Sequence, residues 1–115
     1  MARMDVATAR DRLLTLPGIT EHDHFGRPAY RATTAKGRPT TIFLTLWLDE
    51  QRAVLLLDVE QQADLHARHP QVFFPVPNKW GAKGATFLEL ARADERLFTL
   101  GVQQALAKAT GDRRP

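Results

Sequence analysis

The chain has 115 residues and a mass of 12.9 kDa, enough for one domain with a single core. It is 43% hydrophobic and 25% charged with a formal net charge of +3, a composition typical of soluble globular proteins. Neither cysteine nor serine occurs, which excludes disulfides, cysteine-ligated zinc and serine or cysteine nucleophiles. No secretory signal and no apolar run near ~18 residues are found. We therefore expect one cytoplasmic domain over residues 1–110, with no membrane partner.

The N-terminal region predicts one helix and two strands. Asp5 is a suitable N-cap, and the apolar residues after it recur with the helical period: Val6, Ala9, Leu13 and Leu16. A Pro-Gly pair then ends the helix. Residues 20–25 predict a short edge strand, and a turn at residues 26–28 leads to a second strand around residues 29–33.

The middle of the chain predicts a β-hairpin around a cationic loop at residues 34–39. Residues 40–48 alternate between two kinds of side chain, which predicts a strand with one core face. The expected core residues are Ile42, Leu44, Leu46 and Leu48. The opposite face is expected to carry Thr41, Phe43, Thr45 and Trp47. A symmetric hairpin would place Tyr30 opposite Phe43 on this second face.

The second half of the chain predicts a central strand, two helices and a further strand. Residues 53–57 form an apolar run too short for a helix, and Asp58 with Gln61 forms a capping box for a helix that ends at Pro70. The elements after it are an edge strand or loop (73–77), a glycine-containing loop (78–84), a strand (86–90), a helix capped by Asp94, and a disordered basic tail (111–115). Hairpins outnumber βαβ units, so we expect an α+β fold with one antiparallel sheet covered by helices on one face.

Positive charge is concentrated in two segments of the sequence. Residues 25–48 and 65–88 contain seven of the 16 basic residues and none of the 13 acidic ones. Each segment holds one glycine-containing loop with cations at its tip, a pattern that favours contact with a phosphate backbone. Ordinary solvated loops would give the same pattern, because strands and their connections contain few acids. The candidate nucleic-acid-binding residues are Arg27, Arg31, Lys36, Arg38, Lys79, Trp80 and Lys83.

Aromatic residues offer a second interpretation. Tyr30, Phe43 and Trp47 on the solvent face of the hairpin could stack on bases. Together with Trp80 they could instead bind a small molecule or another protein. A packing layer beneath a helix would bury the same side chains and remove both roles.

Four histidines form two closely spaced pairs. His22 and His24 lie two residues apart in a predicted strand, and His66 and His69 lie three apart near a helix end. Either spacing suits Zn²⁺ or Ni²⁺, but only if the two pairs meet in space. Surface histidines are the simpler interpretation, and we expect neither a metal nor a cofactor.

The predicted loop at residues 78–84 contains a glycine motif. Gly81-Ala-Lys-Gly84 matches the GXXG loop of KH domains, but a proline-rich stretch precedes it and a strand follows.

A series of motifs occurs in order along residues 10–109. They are Leu16-Pro17-Gly18 with Thr20-Glu21, Gly26-Arg27-Pro28, Leu-Leu-Asp58, Pro70-x-Val-Phe73, Val76-Pro77 and Trp80-Gly81-x-Lys83-Gly84.

Through these motifs the chain resembles the MmcQ/YjbR-like family of small bacterial proteins. The resemblance implies a frataxin-like α/β sandwich with a double-wing motif and a DNA-binding role, and it brings no catalytic residues to carry over. Ala85 departs from the family pattern, in which an aromatic residue often follows the second glycine. We therefore expect a non-enzymatic, monomeric DNA-binding protein; the alternative is a small-molecule or protein-interaction module.

Overall fold

The computed structural model describes residues 3–111, which form four α-helices, six β-strands and one 3₁₀ turn at Leu90–Arg92. The helices are α1 (Val6–Thr15), α2 (Val59–Arg68), α3 (Lys79–Ala82) and α4 (Glu95–Thr110). The strands are β1 (Thr20–His24), β2 (Arg27–Thr33), β3 (Pro39–Trp47), β4 (Arg52–Leu56), β5 (Phe73–Pro75) and β6 (Ala85–Glu89). None of these helices has the length and apolarity needed to cross a bilayer.

The six strands form one antiparallel sheet in the order β1-β2-β3-β4-β6-β5. The predicted α+β class, an antiparallel sheet with helices packed on it, is confirmed. β1 and β5 are the two edges of the sheet, as the polar residues 20–25 and the proline-containing residues 73–77 predict.

The helix caps predicted from the sequence are present. Asp5 accepts a hydrogen bond from the Thr8 amide at 2.7 Å, and Asp94 accepts one from the Leu97 amide at 2.9 Å. Asp58 and Gln61 form the reciprocal capping box at the start of α2. Gly111 ends α4 in the left-handed conformation. The rest of the predicted basic tail, residues 112–115, lies outside the described residues.

The main core lies between one face of the sheet and helices α1, α2 and α4. Leu13 of α1, Leu65 of α2 and Phe98 of α4 are all buried in it. Helix α4 approaches the sheet closely at Gly101, where a Cβ atom would lie 2.8 Å from the Phe73 ring. Burial of this apolar face fixes which side of each strand points away from the helices.

A β-bulge interrupts the alternation predicted for β3. Tyr30 pairs with Leu44, but the next residue, Arg31, pairs with Ile42, so Phe43 is an extra residue on β3. Phe43 and Leu44 both lie in the main core, whereas Ile42 lines the opposite side of the sheet. The prediction that Tyr30 and Phe43 oppose each other on a non-core face is therefore wrong: the two residues are 0% and 1% exposed.

Two other expectations fail at the ends of elements. Leu48, predicted to be in the core, is 45% exposed because it lies one residue beyond β3. Residues 78–84, predicted as a loop, contain the short helix α3, whose N-cap is Asn78.

The sheet face opposite the main core is called the open face below. Cross-strand pairs place Thr45 beside Val54, Val54 beside Phe87, and Phe87 beside Phe74 on this face. A smaller apolar cluster forms here around buried Val54 and Phe87, with Trp47 packed against it. The long helices lie on the other side, so the open face is available to build a site.

Candidate functional site

A cleft of about 680 Å³ lies on the open face, with the β1–β2 turn and the 78–84 loop at its rim. Its apolar lining includes Ile42, Val54 and Leu56. Pockets of roughly 300–1,000 Å³ accommodate ligands the size of a drug molecule, and a nucleotide is of that size. The lining also carries positive charge, since four basic side chains contribute to it: Arg27, Arg31, Lys83 and Lys108. Among the described residues, no carboxylate lines the cleft.

Two of these cations are held in place by neighbouring groups. The Arg27 guanidinium carbon lies 3.9 Å from the ring centroid of Trp47, a cation–π contact. Arg31 donates a hydrogen bond from Nη1 to the Thr40 carbonyl at 3.0 Å. Neither guanidinium forms an ion pair within residues 3–111. Both charges are thus positioned without being neutralised, which suits them to an external anion.

The 78–84 loop is fixed by backbone packing. The Asn78 side chain accepts hydrogen bonds from the amides of Trp80 and Gly81 at 2.8 and 3.2 Å. A Cβ at Gly81 would lie 1.7 Å from the Val76 carbonyl oxygen, and one at Gly84 would lie 1.9 Å from that of Leu57. The two glycines of the GXXG match therefore permit close backbone contacts.

This loop presents an aromatic ring with two lysines beside it. The Trp80 side chain is 58% exposed and contributes to the cleft. The ammonium groups of Lys79 and Lys83 lie 5.7 and 5.4 Å from its ring centroid, within cation–π range. An apolar plane and positive charge are therefore available together at this rim.

The opposite rim carries Phe25 in an unusual conformation. Phe25 has φ +54 and the following Gly26 has φ +83, so the β1–β2 turn contains two left-handed residues. Hairpin turns of this kind favour Asn or Asp before Gly, since a bulky residue with positive φ is strained. Phe25 is 91% exposed, and its ring makes an edge contact with the His24 ring, with 4.7 Å between the two ring centroids.

The structure brings some of the predicted site residues together and leaves others outside the cleft. Arg27, Arg31, Trp80 and Lys83 all line it. The others, Lys36, Arg38 and Lys79, are exposed and do not contribute to its lining. The 34–38 turn follows Thr33 at the end of β2, and the 78–84 loop precedes Ala85 at the start of β6. The sheet register places these two segments at the same end of the sheet.

Several cations outside the cleft are paired with carboxylates. Arg68, which contributes to the positive charge of residues 65–88, pairs with Asp64 one helical turn away. Arg52 pairs with Glu89 at 3.0 Å on the open face, beside the rings of Phe74 and Phe87. These two arginines are thus locally neutralised, unlike those of the cleft.

Glu21 joins α1 to the edge of the sheet. Arg10 contacts it through two hydrogen bonds at 2.7 and 2.9 Å, and the Tyr30 hydroxyl donates a third at 2.6 Å. The hydrogen bonds from Arg10 and Tyr30 hold the pKa of the Glu21 carboxyl below its ordinary value. Burial, and then the hydrogen bond to Glu21, raises the pKa of Tyr30. Tyr30 therefore has a structural role, not a stacking role.

The two histidine pairs lie far apart. His22 and His24 are on β1, whereas His66 and His69 are next to β5, so the pairs lie at opposite edges of the sheet. His66 Nδ1 is 2.8 Å from the Phe73 carbonyl oxygen, and His22 Nε2 is 2.8 Å from the Thr20 hydroxyl. The described part of the chain contains no cluster of three or more potential metal ligands. A metal site that joins the two pairs is therefore excluded.

No protein-family model, curated protein or solved structure matches the chain. The MmcQ/YjbR-like resemblance and the frataxin-like arrangement it implies stay predictions.

Three residues that matter to the cleft were missed by sequence reasoning. Ile42 was assigned to the core because the bulge at Phe43 has no signature in the alternation. Lys108 comes from a helix distant in sequence, so only tertiary packing brings it to the cleft. Phe25 did carry a signal, because a phenylalanine stands where a tight hairpin turn favours asparagine before glycine.

Proposed function

We propose that the protein binds DNA without catalysing a reaction, and that the cations of the open-face cleft contact the phosphates. The observation that carries this proposal is the set of four basic side chains around a cleft that no described carboxylate lines. Phosphate contacts by arginine and lysine supply most of the affinity in sequence-independent DNA binding.

The placement of the arginines supports binding to phosphate oxygens. Arg27 lies over Trp47 and Arg31 is anchored on the Thr40 carbonyl, so both lose little side-chain entropy when an anion arrives. Each guanidinium retains further N–H donors for an oxyanion, because neither has a carboxylate partner among the described residues.

The two cationic loops extend the same positive surface. Lys36 and Arg38 lie in or beside the β2–β3 turn and Lys79 lies in the 78–84 loop, at one end of the sheet. DNA longer than the cleft would meet these side chains next.

The alternative, a small-molecule or protein-interaction module built on exposed aromatics, has less support. Tyr30 and Phe43 are buried in the main core, and Arg27 covers the Trp47 ring. The ammonium groups of Lys79 and Lys83 lie 5.7 and 5.4 Å from the ring centroid of the exposed Trp80. An anionic partner fits this surface better than a neutral one.

Fluorescence anisotropy with labelled DNA tests the proposal. At about 50 mM salt we expect micromolar or tighter binding, since non-specific phosphate-driven binding has Kd on the order of 10⁻⁴–10⁻⁶ M at higher, physiological salt. Reversing two cleft charges, Arg31→Glu with Lys83→Glu, should weaken binding roughly tenfold or more. Circular dichroism and thermal melting of the double variant establish that it is folded.

A matched control is Arg96→Glu, an equal change of charge per site on an exposed residue in the first turn of α4. An acid is favourable at a helix N-terminus, so this variant should remain stable and keep its DNA affinity. Absence of DNA binding at low salt by the unaltered protein, or equal losses in the control and in the cleft variants, would contradict the proposal.

A further inference from the structure

The cleft has two exposed aromatic rings that phosphate contacts do not explain. Phe25 is 91% exposed and Trp80 is 58% exposed, and both contribute to the same cleft. Exposed large apolar side chains that line a pocket usually mark a binding surface.

The conformation of Phe25 strengthens this argument. Its φ of +54 is disfavoured for a bulky residue, and its exposed ring recovers little packing energy in return. Strained residues of this kind cluster at functional sites, where the cost in stability is balanced by a role in binding.

The rings lie at opposite ends of the cleft along the strand direction. Phe25 lies in the turn before Arg27, at the end of the sheet where β2 begins. Trp80 lies just before Ala85, which begins β6 and pairs with Leu56 at the other end of the sheet. Arg27 and Arg31, four residues apart on β2, are separated by about 13 Å along the strand. With stacked nucleotides spaced about 3.4 Å apart along a strand, this distance corresponds to roughly four nucleotides.

On the basis of the proposed function, we infer that the cleft binds single-stranded DNA in preference to duplex, with unpaired bases stacked on Phe25 and Trp80 and with phosphates on the cations between them. The bases of a duplex are stacked on one another and cannot reach either ring. Binding sites for single strands combine a positive groove with aromatic platforms, and these are the two features of this cleft.

The charge of the cleft supports the choice of occupant. Its lining combines an apolar surface with four cations and no described carboxylate, which complements a chain of flat apolar bases joined by anionic linkers. An uncharged apolar peptide would leave those cations without partners.

The test compares four labelled ligands of equal length, about 12 nucleotides: oligothymidine, a mixed-sequence duplex, an abasic sugar–phosphate strand and oligouridine. We expect oligothymidine to bind more tightly than each of the other three. Phe25→Asn and Trp80→Ala should each weaken oligothymidine binding roughly 5- to 150-fold, the range for loss of one stacked base. Neither substitution should alter binding of the abasic strand, because that strand has no base to stack.

A second readout separates binding from structure. Phe25→Asn places a favoured residue in the strained turn, so its Tm should rise while its affinity for oligothymidine falls. Leu14→Ala, which removes an exposed apolar side chain on α1, serves as the control and should leave affinity unchanged. Bound oligothymidine should quench tryptophan fluorescence in the unaltered protein, and the quenching should decrease in Trp80→Ala.

The outcomes distinguish the two proposals. Equal or tighter binding of the duplex or the abasic strand would overturn the inference and leave phosphate-driven DNA binding intact. Equal or tighter binding of oligouridine would overturn the assignment to DNA. Failure to bind any of the four ligands at low salt would overturn the proposed function itself.

Discussion

The salt dependence of binding should report the number of cleft cations that contact phosphates. Each phosphate neutralised on a single strand contributes about −0.7 to the slope of log K against log[salt]. For oligothymidine of about four nucleotides, which fits within the cleft, the four cations that line the cleft therefore predict a slope of about −3. Between about 50 and 200 mM salt, the affinity for oligothymidine should fall about 50-fold.

Lys83→Gln removes one of these charges with little change in side-chain size. The slope should decrease in magnitude to about −2, and the loss of affinity over the same salt range should shrink to about 20-fold. Lys83 is exposed and forms no ion pair within residues 3–111, so the substitution should leave the free energy of unfolding almost unchanged.

Anisotropy titrations at three salt concentrations measure both slopes, with Arg96→Gln as the control of equal charge change outside the cleft. The control should retain the slope of the unaltered protein. A slope near zero would show that cations do not drive binding. An unchanged slope in Lys83→Gln, or an equal change in the control, would refute the assignment of phosphate contacts to the cleft.

Two further predictions concern stability and are tested by urea unfolding. Gly84→Ala should lower the free energy of unfolding by about 3 kcal/mol or more, because its φ is +117 and a Cβ would lie 1.9 Å from the Leu57 carbonyl oxygen. The control is Gly37→Ala, which has a positive φ but open space around it and should cost only about 1 kcal/mol. Equal costs in the two variants would refute the close-contact explanation. Glu21→Gln should cost about 1 kcal/mol at neutral pH. The folded-state pKa of Glu21 lies below its ordinary value of 4.5, so the stabilisation by its carboxylate is fully present above about pH 4.5 and is lost as the pH falls through the folded-state pKa. If Glu21→Gln still lowered the free energy of unfolding at lower pH, that result would contradict the charged hydrogen bonds from Arg10 and Tyr30.

The elements that sequence analysis located well are those with strong local signals. The caps at Asp5, Asp58 and Asp94 begin helices, since each cap is specified by a few neighbouring residues. The central position of β4 also follows from its continuous apolar run. Such signals depend on local hydrogen bonding and burial, so they are readable without tertiary structure.

The faces of β3 were harder to assign because a single inserted residue changes them. The bulge at Phe43 places two successive residues, Phe43 and Leu44, in the main core and moves Ile42 to the open face. Strand alternation has a period of two residues, so one extra residue reverses the assignment on one side of it. The sequence of β3 contains no glycine or proline at the bulge to reveal it.

The candidate site was predicted in part. The two acid-free segments, residues 25–48 and 65–88, include Arg27, Arg31 and Lys83, and the fold brings these three residues to one cleft. The sequence could not show that Lys36 and Arg38 lie outside it, or that Lys108 reaches it from α4, because both depend on how hairpins and helices pack. The local charge pattern thus indicates the type of ligand, while the sheet register determines which cations act together.

An NMR amide titration of the full chain with oligothymidine is the most direct test of the open-face cleft as the binding site. We predict that the largest shift changes fall in three regions: the turn at Phe25, the strands β2 and β3, and the 78–84 loop. Amides of Leu14 on α1 and Arg96 on α4, on the opposite side of the sheet, should show little change. Shift changes concentrated on α1 and the first turn of α4, with the cleft residues unaffected, would contradict this account.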